Sequence, residues 1–465
     1  MRVRRPASLS SPAMGASGRP AATDDARQRI PATLEHPAAR AFWLAVVLTG
    51  IGTGFGAAAL TRLLQAVQHW MWPDSGTSLL AAASHAGAGR HVMVLLGAGL
   101  LTGVGQIVLG RLSSGNGIDI TEAIWFSAGR LPPLRTLGTA LLSVLVVAMG
   151  ASLGREGAPK QVGAVIANAL SDRGALSDEQ RRLLVACGAG AGMAAAYGVP
   201  LGGALFALEV SRGALALRMV LPALVTSLVA TATSWTFLPD APTYVLPPYV
   251  NSSSASLWAL LAGPIAGLVS LGYVRIIAWA DRNKPTGWQR LVAPVVVLGL
   301  LGGVSIPFPQ LLGNGKDVSQ LAFVGELAPA LLLTLLVLKP LATVVCLGSG
   351  VPGGLFTPSL ALGALLGGAL GHAWSWLWPG VPPGLFAVIG ATAVLAATTQ
   401  GPISAVVLMM ELTGRDRSFI VPVLFAVVTA TLVARTIEPR SIYDARLTRQ
   451  QLEARQRERD RLPTP

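Results

Sequence analysis

Charge is scarce in this chain: 12% of its 465 residues are Asp, Glu, Lys or Arg, while 52% are hydrophobic. Soluble globular chains carry about a quarter charged residues, so an ordinary soluble domain is excluded and a polytopic membrane protein is indicated. Cysteine is nearly absent. Cys187 and Cys346 both sit in apolar stretches, which excludes a disulfide scaffold and reads as two buried small hydrophobes without redox chemistry. His36, His69, His85, His91 and His372 lack metal-ligand spacing such as H-E-x-x-H, and no Asp pair or Ser/His set recurs at helical spacing. A metal site and an intramembrane enzyme therefore have no footing. The formal charge of +13 would suit nucleic acid, but much of the excess lies in the two tails and in short loops flanking apolar runs. That pattern fits a negatively charged lipid leaflet and no nucleic-acid partner.

Glycine and proline are plentiful, 53 and 32 residues without a collagen period. They imply helices that pack closely through small residues and are often broken. Residues 1–40, rich in Arg and without an apolar run, read as a disordered tail. Apolar stretches follow at about 41–66, 91–110, 136–151, 183–209, 217–237, 256–280, 291–311, 323–347, 353–378, 384–413 and 418–436. Several can cross a hydrocarbon core of ~30 Å, and others are too short or interrupted. Backbone polar groups in lipid must be satisfied within the segment, so the fold class is an all-α polytopic membrane protein. Arg-rich segments at both ends put both termini on the cytoplasmic side, with an even number of crossings. The segment 446–462 suggests a short charged helix.

Three pieces of the first half return in the second. Gly115-Asn116-Gly117-Ile118-Asp119 matches Gly313-Asn314-Gly315-Lys316-Asp317; Gly154 with Gly163-Ala164 matches Gly354 with Gly363-Ala364; Gly188-Ala189-x-Ala191, Pro200 and Glu209 match Gly390-Ala391-x-Ala393, Pro402 and Glu411. The order is kept, and the offset stays close to two hundred residues. The chain thus divides into the tail 1–40, a first membrane repeat 41–237, a linker 238–255, a second repeat 256–436 and a C-terminal tail 437–465. Duplication with Gly/Pro-interrupted helices is the pattern of a transport fold whose site lies between the repeats near the midplane.

Within Met149-Gly-Ala-Ser-Leu-Gly-Arg-Glu-Gly-Ala-Pro159, the ionisable Arg155 and Glu156 stand between glycines in an apolar region, where charge is costly and usually functional. Pro159 suits a helix first turn. The motif reads as a loop opening on a helix N-terminus, an anion site for a dissolved ion or for the Glu156 carboxylate itself. A carboxylate that competes with an anion for one helix end acts as a gate; a salt bridge to Arg155 is the bland reading. Gly115-Asn116-Gly117-Ile118 and Gly353-Gly354-Leu355-Phe356-Thr357-Pro358 share the same grammar of glycines followed by a helix. Several such helix starts aimed at one point bind a desolvated anion without a full positive charge, whose grip would slow release. Two readings stay open for Lys160: drawing anions toward the mouth, or pairing with Glu156.

GNGI at 115–118, GREG at 154–157, GMAAAYGVPLGGALFALE at 192–209, GSGVPGGLFTPSLALGALLGG at 348–368 and SIY at 441–443 resemble the CLC family of chloride channels and chloride/proton antiporters, from about 41 to 443. Within it the chain looks most like the bacterial voltage-gated-type ClcB group. The resemblance implies a homodimer in the cell (inner) membrane, each subunit an inverted repeat of broken and tilted helices with its own anion pathway and no organic cofactor. By position it makes Glu156 the external gating glutamate. It puts Phe356 and Tyr443 at the central anion site, with backbone donors near Gly157, Leu355 and Phe356. A helix-end anchor at the membrane interface is the plainer role for Tyr443.

Two departures qualify the likeness. The family's anion-facing serine is Asn116 here, and its proline is Asp119. Serine at this place goes with chloride and proline with nitrate, and asparagine or methionine occurs among fluoride exporters, so the halide is left open. The family's antiporters carry an intracellular proton-transfer glutamate just after the position of Glu209, where this chain has Val210, which cannot relay a proton. Glu209 points about 100° away and is a candidate for another proton path. Alternatively Glu209 and Glu411 are both structural, helix-end carboxylates pairing with loop arginines such as Arg212 or Arg415. Channel-like or weakly proton-coupled chloride transport follows, an electrical shunt during acid stress by analogy, with a proton-coupled chloride or fluoride antiporter as the alternative.

Overall fold

A computed structural model describes residues 39–73, 78–112, 119–212, 216–250, 252–414 and 419–447 together with 450, 451 and 453. Gly115 to Ile118 and Arg415 lie outside the described residues, as does most of the charged C-terminal segment; of Arg212 only the backbone is described. Among the described residues all regular structure is helical, apart from one antiparallel bridge between Gly154 and Gly354.

The first half runs α1 (Ala39–Met71), α2 (Leu79–His85), α3 (Ala88–Leu112), α4 (Ile120–Phe126), α5 (Pro133–Ala148), α6 (Gly157–Arg173), α7 (Asp178–Tyr197), α8 (Pro200–Leu205) with a π-helical continuation Phe206–Arg212, and α9 (Leu217–Trp235). The second runs α10 (Ser253–Arg282), α11 (Gln289–Val304), α12 (Lys316–Val324), α13 (Pro329–Gly348), α14 (Phe356–Leu377), α15 (Pro383–Thr399), α16 (Pro402–Thr413) and α17 (Ile420–Ile437). Of these, α1, α3, α10, α13, α14 and α17 are long and apolar enough to cross a membrane. Leu44, Leu100, Leu268, Val337 and Leu432 stay exposed on them, as expected of side chains whose solvent is lipid.

Packing follows the duplication. α6 lies on α7 as α14 lies on α15, and α1, α9 and α7 pack together as α10, α17 and α15 do. The halves meet where α3 crosses α11 and α8 crosses α16. α7 and α15 are buried along almost their whole length, which explains why neither shows a polar face in sequence. Their neighbours approach through matched glycines: Gly163 faces the carbonyl of Gly188, and Gly363 that of Gly390, with no room for a methyl group at either. Both cysteines are buried and neither takes part in a disulfide.

Two apolar stretches that read as continuous are broken. The stretch 183–209 stops at Gly198 in the left-handed region (φ 70°) and restarts at Pro200; 384–413 stops at Gln400 (φ 58°) and restarts at Pro402. Gly198 takes that conformation at no steric cost, whereas Gln400 must be held. Arg435 on α17 donates to its side-chain oxygen at 3.0 Å and to its carbonyl at 2.9 Å. The kinks matter because α8 and α16 restart with a proline at N1, leaving free amides at N2 and N3 that need acceptors.

Candidate functional site

Those acceptors come from across the repeat boundary. Glu209 accepts from the amides of Ile403 (3.2 Å) and Ser404 (2.6 Å) and from the Ser404 hydroxyl (2.6 Å). Glu411 accepts from the amides of Leu201 (3.0 Å) and Gly202 (2.6 Å). Each carboxylate thus caps the short helix of the other repeat, at equivalent positions. Their described partners are backbone amides and one hydroxyl; the Arg212 side chain and Arg415, the loop arginines named as alternatives, lie outside the description. A carboxylate suits a helix N-terminus through both its hydrogen bonds and its charge. Glu209→Ala should therefore lower the thermal unfolding midpoint of the detergent-purified protein, at a cost of about 1–3 kcal/mol for the stranded donors; an unchanged midpoint would contradict the cap.

The same pseudo-symmetry builds the centre. α5 and α13 end in loops that turn through Gly150 (φ 115°) and Gly350 (φ 96°) and meet at Gly154 and Gly354, whose amides and carbonyls are exchanged at 2.8 and 2.7 Å. From this junction α6 and α14 start, one residue after Glu156 and one after Leu355. The Glu156 side chain is fully buried and lies on the first turn of α14. Oε1 accepts from the Phe356 amide at 2.6 Å, and Oε2 accepts from the Thr357 hydroxyl at 3.2 Å. Side chains on Gly154 or Gly354 would meet this carboxylate where it is seated, so the two bridge glycines leave open the space it fills.

Arg155 is not the partner of Glu156. Its guanidinium sits over the ring of Tyr197, 4.8 Å from the centroid, and the Tyr197 hydroxyl is 3.1 Å from Thr357 Oγ1. Tyr197 and Thr357 thereby order the donor beside Glu156; neither stood out in the sequence, where Tyr197 looks like one more apolar residue of a buried helix.

A cavity of about 490 Å³ leads to the same helix starts. It is lined in its depth by Gly157, Lys160, Phe206, Val210, Gly354, Leu355 and Tyr443, and at its mouth by Asp119, Arg135, Lys284, Arg290 and Arg446. Cations outnumber acids around it, which raises the local concentration of anions. Five of the sequence candidates are thus gathered, with Gly157, Leu355 and Tyr443 on the cavity wall and Glu156 and Phe356 one residue behind it. Asn116 lies outside the described residues, and Glu209 is absent from the lining, where Val210 takes its place.

The mouth is tied to the C-terminal segment. Asp119 caps α4 by accepting from the Thr121 amide at 2.9 Å, and it pairs with Arg446 at 3.3 Å; Arg446 reaches Asp281 at 3.1 Å, and Asp281 pairs with Lys284 at 2.6 Å. Just before Tyr443, Arg440 donates twice to Glu438. That hydrogen-bonded pair holds the Glu438 carboxyl below the usual range. Asp119 is one end of the charged network that runs through Arg446 and Asp281 to Lys284.

A broken-helix, all-α bundle with a carboxylate seated on a helix start above a cationic cavity is the build of a membrane transport protein. The sequence matches the model of the voltage gated chloride channel family over residues 98–435, and the chain belongs to that family. It is 32% identical over 419 residues to a putative chloride channel protein ClcB-like of Ralstonia nicotianae, covering 86% of this chain and 95% of the relative. It is 30% identical to the voltage-gated ClC-type chloride channel ClcB of Citrobacter koseri, covering 83% and 94%. The fold superposes on that of a slow cyanobacterial Cl-/H+ antiporter with a TM-score of 0.74 at 22% identity, covering 91% of this chain and 99% of the other. Chloride transport across a membrane is the activity of this family.

Proposed function

We propose that anions pass from the cavity, by Lys160 and Tyr443, to the start of α14, and that Glu156 is the gate on this route, in a channel-like or weakly proton-coupled mode. One observation carries the reading: the Glu156 carboxylate occupies the Phe356 amide and the Thr357 hydroxyl, donors of the kind a desolvated chloride needs. Carboxylate and chloride compete for them, so the route is closed while Glu156 is in place and opens when it swings away or is protonated.

Val210, on the cavity wall, offers no proton acceptor, and Glu209 is engaged as a cap; both support weak coupling. The halide is chloride in this reading. The Arg-rich ends support cytoplasmic termini in the cell (inner) membrane, and family resemblance supports a homodimer in lipid. The family match supports a transporter.

Purified protein in liposomes under an imposed chloride gradient, with an external pH electrode, tests the reading. Chloride flux with no uphill proton movement is the expected outcome. Stoichiometric proton pumping would instead establish a proton-coupled antiporter and overturn the role given to Val210, and fluoride or nitrate moving in preference to chloride would overturn the halide.

A further inference from the structure

Lys160 stands four residues past Glu156 on α6 and is 7% exposed. Its ammonium lies 4.9 Å from the centre of the Phe206 ring and 4.9 Å from that of the Tyr443 ring, and these two rings meet edge to face with centroids 6.0 Å apart. Among the described residues no carboxylate pairs with it and no oxygen accepts from it, although Nζ carries three donors. The neighbouring carboxylate, Glu156, is committed to the Phe356 amide and the Thr357 hydroxyl. The Tyr443 hydroxyl is buried and also without a partner. Two aromatic faces compensate the ammonium on their sides, but a buried cation retains a large desolvation cost unless something negative completes it. The remaining partner is supplied by the cavity that Lys160, Tyr443, Gly157 and Leu355 line together.

We propose that Lys160 is an affinity-determining residue of the anion route, its ammonium supplying a full positive charge to a small monovalent anion held beside the Tyr443 hydroxyl. Helix starts and neutral donors alone bind such an ion loosely; a fixed unit charge with reduced screening holds it longer. The consequence is tight binding bought at the expense of turnover, and an anion present whenever Glu156 leaves its seat. The inference rests on the cavity being the anion's route, as proposed above.

The test is isothermal titration of the full-length, detergent-purified protein with chloride, in a Glu156→Gln background that removes the competing carboxylate. Lys160→Met and Lys160→Gln are expected to weaken chloride binding at least tenfold, Lys160→Arg to keep it within about threefold, and Lys160→Met to raise chloride turnover in liposomes. Gel-filtration profiles identify which variants are folded, and Lys160→Gln replaces Lys160→Met if the latter aggregates. Unchanged affinity in the folded neutral variants would overturn the role of Lys160 and leave the route standing. A Glu156→Gln parent that binds no chloride at all would overturn the route and Lys160 with it.

Discussion

Glu156→Gln is expected to leave chloride flux intact or increased while abolishing its dependence on pH. The substitution keeps the shape of the side chain and removes the charge, imitating the protonated acid. In the folded protein the carboxylate accepts from a backbone amide at 2.6 Å and a hydroxyl at 3.2 Å, and hydrogen bonds to an ionised acceptor are roughly twice as strong as neutral ones. The amide oxygen of glutamine accepts more weakly and loses the attraction of the α14 N-terminus for negative charge, so chloride wins the competition for Phe356 more often. Neutralising the parent's carboxylate would remove the same attraction, which is why the variant should behave as a protein whose gate no longer competes with chloride. Flux measured in liposomes across pH 4 to 8 checks this. A pH response like the parent's would remove Glu156 from the gate, and the Tyr197–Thr357 pair would then be a packing arrangement only.

Gly163→Val should yield no monodisperse protein. Any Cβ at 163 falls on the backbone carbonyl of Gly188, and backbone on both sides of the α6–α7 crossing cannot rotate away as a side chain can. Overpacking a core typically costs about 1–3 kcal/mol and occasionally more, and here the strain acts on the helix that begins next to Glu156. Gly272→Ala in α10 is the control. Open space surrounds that position, and alanine in a helix interior is favoured over glycine by roughly 0.5–1 kcal/mol, so the control should purify as well as the parent or better. Gel filtration with a thermal melt distinguishes the two; a folded Gly163→Val protein would show that the repeat's glycines are not required for helix approach.

Much of the site was legible because it is written twice. Gly154 and Gly354 are aligned by the internal repeat, and in the fold they hydrogen-bond to one another. Glu209 and Glu411 are aligned as well, and their equivalence already favoured a shared structural role, but the sequence did not point to helix-start amides of the opposite repeat as their partners. The inverted repeat was expected, but a one-dimensional reading cannot see that α8 and α16 meet, which delivers each carboxylate to the other repeat's helix start. Lys160 shows the same boundary. Its oddity was plain from its place after Glu156, yet the choice between pairing with that glutamate and serving the mouth depended on where Phe206 and Tyr443 lie, 46 and 283 residues away in the chain.

The sequence by itself determined the membrane class, the all-α fold, the duplication and the two loops from which α6 and α14 start, because apolar content, glycine and proline act locally through helix length, backbone freedom and the missing proline N–H. Tertiary structure alone decided where the helices break at Gly198 and Gln400, which carboxylate caps which helix, and that Lys160 faces rings and a cavity instead of Glu156. Those outcomes depend on distances between segments remote in the chain. They are fixed only once the two repeats pack, when each buried polar group must find a partner that its own segment does not supply.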